Sequence, residues 1–293
     1  MELTGIDHVI LATSDLGAAA ARWQALGLQL TPPMRHADAS TENSVFFVGD
    51  GAGTEFYVEL LAVHDRVRAQ AEGRRDLLDA VDRGGLYRLM LQVGSAAAAV
   101  ATLTAGGIEV SSRDVWRDDR SLIGTVVEPV GPTAAGCPFA LIAYEGGPDA
   151  RRARHEAAGL FRHDLPLARL DHLAVIAPGG VEAACAFWDA VLGVPVTGRV
   201  TGRGMDIRQL RIGDATLEII GPDGADSPVR QRPAGLASVT AFEVSDLDAV
   251  VADVRRRGFE LADPAPGVLP RSRVSTVGAE QLGGLALQLI AFS

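Results

Sequence analysis

The stretch GIDHVILATSDLGAAAARWQALGL, residues 5–28, and the stretch RLDHLAVIAPGGVEAACAFWDAVLG, residues 169–193, follow one pattern. Each begins with an apolar residue, Asp and His, continues as an apolar run typical of a strand, and ends in a helix rich in small residues that stops near a Leu-Gly. Self-similarity across a chain is the sequence signature of repeated structural modules. The pattern therefore predicts that the two halves of the chain are built alike.

Each half contains the pattern twice. The order strand, capped helix, strands recurs in modules 5–63, 86–145, 169–224 and 236–293. Aligning the strand-to-helix boundaries places Asp15 opposite Asp246, each in an SDL triplet that suits a helix N-cap, with Ser14 as an alternative cap in the first module. The sequence thus predicts an α+β fold of four βαβββ modules.

Two segments lie between modules. Residues 64–85 have a helical pattern and connect the first two modules, whereas the polar segment 149–168 is flanked by Gly and Pro. We predict domains at 1–148 and 169–293, separated by a solvated linker at 149–168. Arg151, Arg152 and Arg154 could form an anion site, but the composition favours solvent exposure, as it does for His155 and His163.

The composition excludes several classes of function. The 293 residues carry a net charge of −10, which argues against nucleic acid and anionic membranes as partners. Two cysteines provide neither a disulfide framework nor a CxxC metal pattern. No apolar run is long enough to cross a membrane, and residues 1–24 do not read as a secretory signal. We therefore expect a cytoplasmic protein, a monomer or a homodimer, with a small-molecule ligand.

A histidine and a glutamate recur at matching positions in the odd-numbered modules. His8 and Glu59 in the first module correspond to His172 and Glu218 in the third. A carboxylate in the middle of an apolar strand is costly unless it is paired or coordinated. Imidazole and carboxylate together suit a divalent metal such as Zn, Ni, Mn, Fe or Co, whereas the alternative is a structural His–Glu pair.

The strands IDHV, LDHLAV, YVELL and LEIIGP, with the fourfold βαβββ repeat, resemble the vicinal oxygen chelate superfamily. That superfamily includes glyoxalase I, extradiol dioxygenases, methylmalonyl-CoA epimerase and bleomycin-resistance proteins. The resemblance implies two tandem cup-shaped mixed sheets. Its chemistry is diverse, so the fold alone does not determine the reaction.

Within the superfamily, the first half looks most like the glyoxalase-like domain group. The segment RHADASTEN carries the His, Thr and Asn of that group as His36, Thr41 and Asn43, and the closing strand YVELLAV contains Tyr57 and Glu59. Ser40 stands where Gly is usual in the group. The resemblance implies catalytic roles for Glu59 and His36, and substrate contacts for Thr41, Asn43 and Tyr57.

The set of metal ligands stays open. Members that bind metal draw ligands from two paired modules. In this chain the positions of the even modules that align with the His and the Glu are Arg88 and Leu141 in the second module, and Val239 and Gln288 in the fourth. A third ligand would have to be His36. Alternatively, modules one and three face each other, and a metal would be held by four residues together: His8, Glu59, His172 and Glu218.

Without a metal, the first cup retains groups for acid–base chemistry. An imidazole oriented by a carboxylate can act as a base, and Arg88 can stabilise an enolate or serve as a counter-ion for Glu59. We therefore expect a glyoxalase-type lyase or isomerase acting on a small oxygenated metabolite through an enolate or enediolate. The alternative is a metal-free ligand-sequestering protein of the bleomycin-resistance type. An extradiol dioxygenase is disfavoured by Val239 and Gln288 at its usual ligand positions.

Overall fold

The computed structural model describes residues 1–37, 40–49, 55–117, 120–146 and 148–293, with the backbone alone at 148–150. The strands of the first half are Leu3–Ala12 (β1), Met34–Arg35 (β2), Thr41–Val48 (β3), Phe56–Val63 (β4), Gly85–Val93 (β5), Val110–Trp116 (β6), Leu122–Pro129 (β7) and Phe139–Tyr144 (β8). Those of the second half are Arg169–Ile176 (β9), Val196–Gly202 (β10), Met205–Ile212 (β11), Ala215–Pro222 (β12), Gly235–Glu243 (β13), Ala265–Pro266 (β14), Ser272–Val277 (β15) and Ala286–Phe292 (β16).

Each module has a helix after its first strand, and the remaining helices lie between modules. The helices are Leu16–Ala25 (α1), Arg66–Ala71 (α2), Arg75–Arg83 (α3), Ala96–Ala105 (α4), Pro148–Ala157 (α5), Glu182–Ala190 (α6) and Leu247–Arg256 (α7), with a short 3₁₀ helix at Pro228–Gln231. The predicted helical connector at 64–85 is present as α2 and α3. No helix in the described part of the chain is long and apolar enough to cross a bilayer.

The strands form two eight-stranded sheets of matching order. The first runs β2-β3-β4-β1-β5-β8-β7-β6 and the second runs β10-β11-β12-β9-β13-β16-β15-β14. In each, the first strands of two consecutive modules pair antiparallel at the centre, and each module's first and last strands pair in parallel. The α+β fold of two tandem cups is confirmed. We call the concave faces the first cup and the second cup. The alternative in which modules one and three share a cup is wrong, because hydrogen bonding joins module one to module two.

Local sequence explains where the helices begin. The side chains of Asp15 and Asp246 accept backbone N–H groups at 2.9 and 3.0 Å, and Ser95 accepts one at 3.3 Å. Each oxygen satisfies one of the N–H groups that the first turn of a helix leaves without a partner. Asp15, rather than Ser14, is the cap of α1. The helix α6 has Val181 at its N-cap position and therefore lacks a side-chain cap.

One hydrophobic core contains residues of both halves. Trp23 of α1 and Trp188 of α6 are fully buried in it. The indole N–H of Trp188 donates to the carbonyl of Ala135 in the first half at 3.0 Å, and Phe139 packs against the Trp188 ring at a centroid distance of 6.2 Å. The two sheets are therefore packed together rather than separated by a flexible connection.

The segment 149–168 does not form the solvated linker that its composition suggests. Its first part lies in α5, and Arg151 is buried, with 5% of its surface exposed. His163 accepts the backbone N–H of Gln29 at 2.9 Å and contacts the carbonyl of Phe47 at 2.6 Å. This segment is packed against the first half because its polar groups find partners there that composition cannot reveal.

Candidate active site

A bulge in β1 turns two consecutive side chains into the first cup. Along the β1–β5 pairing, Ile6 opposes Leu91 and His8 opposes Met90, so Asp7 is an extra residue. A bulge interrupts the alternation of side chains between the faces of a strand. Asp7 and His8 therefore both contribute to the polar cluster on the concave face.

Asp7 is the buried anchor of the cup. Its carboxylate accepts hydrogen bonds from His8 Nδ1 at 2.5 Å, from the Tyr144 hydroxyl at 2.7 Å and from Arg151 Nη1 at 3.0 Å. Burial alone would raise the pKa of Asp7, but the charge of Arg151 and the hydrogen bonds outweigh it and hold the pKa below its ordinary value. Because Asp7 binds Nδ1, the Nε2 atom of His8 is directed at Glu59.

Glu59 lies on β4, where three neighbouring side chains surround its carboxylate. His8 Nε2 is 3.4 Å from Oε2, and Asn43 Nδ2 donates to Oε1 at 2.6 Å. His36 Nε2 is 3.8 Å from Oε1. Burial acts to raise the pKa of Glu59, but hydrogen bonds and charge from His8, with contributions from His36 and Asn43, lower it overall. Glu59 is therefore a buried carboxylate that stays ionised.

His36, Thr41 and Asn43 lie together, as the resemblance implied. His36 Nδ1 is 2.8 Å from the Thr41 hydroxyl, and its Nε2 is 3.2 Å from Asn43 Nδ2. Since Asn43 Nδ2 is a donor, the second amide hydrogen is directed at His36 Nε2, which then accepts it, and Nδ1 carries the proton. Asn43 thus bridges the imidazole and the carboxylate of Glu59.

Tyr57 lies at the side of this cluster. Its ring stacks on His8 at a centroid distance of 4.1 Å, and its hydroxyl is 3.2 Å from that of Tyr144. The guanidinium of Arg151 lies over the Tyr144 ring at 3.8 Å. The Tyr57 ring orients the imidazole of His8, and both tyrosines border the cavity.

Arg88 faces the cavity but is not the counter-ion of Glu59. Its guanidinium pairs with Glu128 and lies 3.1 Å from Asp76 and 2.8 Å from the Tyr87 hydroxyl. These partners lie on β7, α3 and β5. They orient Arg88 along the wall of the second module rather than toward the Glu59 carboxylate.

The second module contributes apolar groups where the superfamily's metal ligands would lie. The sequence alignment places Leu141 at the position equivalent to Glu59. In the structure Leu141 is instead buried in the core shared by the two halves. Ile142 and Tyr144 of β8 border the cavity, as does Met90, which opposes His8 across the central strand pair. On β8 the alignment is therefore off by one residue, and a shift of one residue reverses the face of a strand.

The described residues do not fit a divalent metal. His8 and Glu59 converge, but His36 Nε2 already faces the Asn43 amide. The two described carboxylates of the second module that border the cavity have other partners: Asp114 accepts a hydrogen bond from Thr125, and Glu128 pairs with Arg88. Among the described residues, no group of three or more His, Cys, Asp or Glu side chains is arranged to hold a metal. Metal binding through His8 and Glu59 remains a prediction that this donor set does not support.

The second cup contains a reduced copy of the cluster. A bulge on β9 skips Asp171, whose carboxylate is 2.6 Å from His172 Nδ1. His172 Nε2 is 4.0 Å from Glu218, which accepts a hydrogen bond from Gln209 at 3.1 Å. His172 and Glu218 lie in a different sheet from His8 and Glu59, so the two pairs belong to separate cups.

The polar cluster forms part of the wall of a cavity of about 1060 Å³. One end of the first cup is closed by α3, whose Leu77 and Val81 belong to the same apolar cluster as Ile10. The cavity is large enough for a small organic molecule and combines a few polar groups with an apolar wall. This combination is typical of a ligand-binding site.

Sequence reasoning assigned no role to Asp7 or Glu55, and it favoured solvent exposure for Arg151. Arg151 Nη2 lies 2.6 Å from Glu55 Oε1, an ion pair whose alignment is not that of a hydrogen bond. His155 Nδ1 also contacts Glu55, at 2.9 Å. The sequence signal for Asp7 is the Asp-His pair that begins both halves.

Comparison with known proteins supports this description. The family model described as "Glyoxalase-like domain" matches residues 6–164, and a "Glyoxalase/Bleomycin resistance protein/Dioxygenase superfamily" model matches residues 171–272. Mouse mitochondrial methylmalonyl-CoA epimerase is 28% identical over 130 residues, 42% of this chain and 72% of the relative. The bovine enzyme is 31% identical over 101 residues, 32% of this chain and 57% of the relative.

Solved structures share the two-cup architecture over the full chain. A hypothetical protein from Staphylococcus aureus superposes with a TM-score of 0.66, 12% identity and 98% coverage of each chain. A mutant of 4-hydroxymandelate synthase from Streptomyces coelicolor superposes with a TM-score of 0.67 and 15% identity, covering 100% of this chain and 94% of the other. At these identities the likeness shows the fold alone. The chain belongs to the glyoxalase-like domain family, within the vicinal oxygen chelate superfamily.

Proposed function

We propose that the first cup is the active site of a glyoxalase-type enzyme, an isomerase or lyase that removes a proton next to a carbonyl group of a small oxygenated substrate. The observation that carries the proposal is the environment of Glu59, an ionised carboxylate that borders the cavity and is held by His8, Asn43 and His36. A carboxylate and an imidazole fixed beside a cavity form the usual arrangement for general acid–base chemistry.

In this proposal His36 removes the proton. Its Nδ1–H is held by Thr41, which leaves Nε2 as the basic atom, and Asn43 keeps the ring next to Glu59. When the substrate C–H bond breaks, the proton moves to Nε2, displacing the weak hydrogen bond from Asn43. The electron pair moves into the substrate to form an enolate, and Glu59 stabilises the resulting imidazolium.

The developing oxyanion requires a positive partner. Arg88 borders the same cavity, and an arginine can stabilise the negative charge that develops on an enolate oxygen. The reaction ends when the proton returns to carbon on the same or the opposite face, or when a leaving group departs. No step of this scheme requires a metal.

The test is exchange of the substrate α-proton with solvent deuterium, followed by proton NMR. Methylmalonyl-CoA is the first probe because curated relatives are epimerases of that thioester. Glu59→Gln should slow enzyme-catalysed exchange by about 10²–10⁴-fold, because the amide cannot stabilise the imidazolium. Glu218→Gln, the equivalent change in the second cup, is the matched control. Exchange at the wild-type rate in Glu59→Gln would refute the proposal.

A second function is a binding protein that sequesters a ligand without turnover. It is favoured by the fact that the polar groups of the first cup bond to one another, from Thr41 through His36, Asn43 and Glu59 to His8. A cluster satisfied in this way is stable without reacting. Tight binding of a ligand, with neither exchange nor product in the NMR experiment, would support this function.

A further inference from the structure

An arginine at the wall of the first cup has no acidic partner among the described residues. Arg113 lies on β6 and borders the cavity. Two further arginines, Arg74 and Arg88, act on it electrostatically. Arg88 is paired with Glu128 and Asp76, and Arg74 lies 3.1 Å from Glu72, whereas no ion pair involves Arg113 in the described part of the chain.

The surroundings of Arg113 are unfavourable for a cation. Its side chain is accessible through the open cavity, yet desolvation by the walls, with repulsion from Arg74 and Arg88, lowers its pKa to about 10. The charge of Glu59 acts in the opposite direction. Arg74 and Arg88 are already paired with acidic side chains, so Arg113 is the guanidinium of the three that a bound anion would stabilise.

Large apolar side chains border the same cavity as Arg113. Trp116, at the end of the same strand, is 37% exposed, and Val130, just after β7, is 55% exposed. Both border the cavity. Exposed aromatic and branched side chains inside a cleft provide apolar surface for a ligand.

We propose that the first cup binds an amphipathic organic acid, whose carboxylate pairs with Arg113 and whose apolar body packs against Trp116 and Val130. The planar guanidinium matches a carboxylate with two parallel hydrogen bonds. The carboxylate avoids Glu59 by electrostatic repulsion, so the other end of the ligand extends toward His36. This inference rests on the proposed function and names its substrate class.

The test compares two probes that differ only in charge: 4-phenylbutyrate and its amide, 4-phenylbutanamide. Binding is measured by calorimetry and by tryptophan fluorescence. Of the three tryptophans, Trp23 and Trp188 are fully buried, so a change in fluorescence on binding reports Trp116. We expect the wild-type protein to bind the acid at least about tenfold more tightly than the amide, as a charge-assisted pair would require.

Arg113→Met should remove the preference for the acid, and Arg113→Lys, which keeps the charge, should retain part of it. The control is Arg211→Met, which removes one exposed arginine from the second half. Equal binding of both probes to the wild-type protein, or an undiminished preference in Arg113→Met, would overturn the inference. Neither probe requires turnover. The two proposals can therefore fail separately. If acid binding depends on Arg113 but Glu59→Gln does not slow proton exchange, the proposed function is wrong and the proposed binding site is supported.

Discussion

Replacing Arg151 by Met should destabilise the protein by about 3–5 kcal/mol, because the change removes the cation from two buried carboxylates. Arg151 lies 3.0 Å from Asp7 and 2.6 Å from Glu55, and the exposed fractions of their side chains are 0% and 8%. Met keeps an unbranched apolar side chain like the aliphatic part of Arg. The loss of stability therefore reports mainly the removal of the charge. A loss of this size is a large part of the 5–15 kcal/mol that typically stabilises a domain.

The loss of stability caused by Arg151→Met should depend on pH, because it depends on the ionisation of Asp7. Burial favours a raised pKa, but Arg151 and the hydrogen bonds from His8 and Tyr144 keep the pKa below its ordinary value. A carboxylate of lowered native pKa stabilises the fold above its unfolded pKa, and this contribution is lost as the pH falls through the native pKa. Without Arg151, the desolvation of the buried carboxylate is less well compensated, so the pKa of Asp7 rises. The difference in unfolding free energy should therefore increase from about pH 4 to about pH 7.

The assay is urea unfolding at several pH values, followed by circular dichroism and tryptophan fluorescence. Arg154→Met is the control, because Arg154 is an exposed residue of the same helix and its loss should change stability by no more than about 0.5 kcal/mol. The double variant with Asp7→Asn should be less destabilised than the sum of the two single variants. An Arg151→Met cost that equals the control, or that is constant across the pH range, would refute this account of the site.

Three further results follow from the structure. Thr240→Val should raise stability by about 1 kcal/mol in thermal unfolding, because the buried Thr240 hydroxyl has no partner among the described residues; a lower melting temperature would show that it is bonded. Gly284→Ala should cost more than Gly131→Ala in the same assay. Both residues have positive φ, but a Cβ at Gly284 would lie 2.8 Å from the Cα of Gly85, whereas a Cβ at Gly131 meets nothing within 4 Å. Equal losses of stability in the two variants would argue against the close packing of the two halves. Mass spectrometry of protein purified without tag or chelator should find less than one transition metal per chain. One metal per chain would contradict the conclusion that the donor set does not fit a divalent metal.

Much of the fold could be predicted because its signals are local. Helix caps such as Asp15 and Asp246, apolar strands and the repetition of the pattern are visible in short windows of sequence. The clustering of His36, Thr41 and Asn43 followed from a family motif whose members are close in the chain. Glu59 was conspicuous because a carboxylate in an apolar strand demands a partner.

Other parts of the site depended on contacts between distant residues. Arg151 appeared solvated because its neighbours in sequence are polar, yet Asp7, 144 positions earlier, accepts its hydrogen bond. Leu141 was aligned with Glu59, yet Leu141 is buried in the core and its neighbour Ile142 borders the cavity. An offset of one residue reverses the face of a strand, and sequence alignment alone cannot detect it.

The sequence by itself determined that the chain is a fourfold βαβββ repeat, and it identified His8 and Glu59 as the residues of interest, since periodicity and local polarity specify elements and mark costly side chains. Only the tertiary structure decided which modules form a cup, which strand positions face the cavity, and that α5 supplies the counter-ion of Asp7. The physical reason is that strand pairing, bulges and buried ion pairs join residues far apart in the chain, and their free energies depend on distances that exist only after folding.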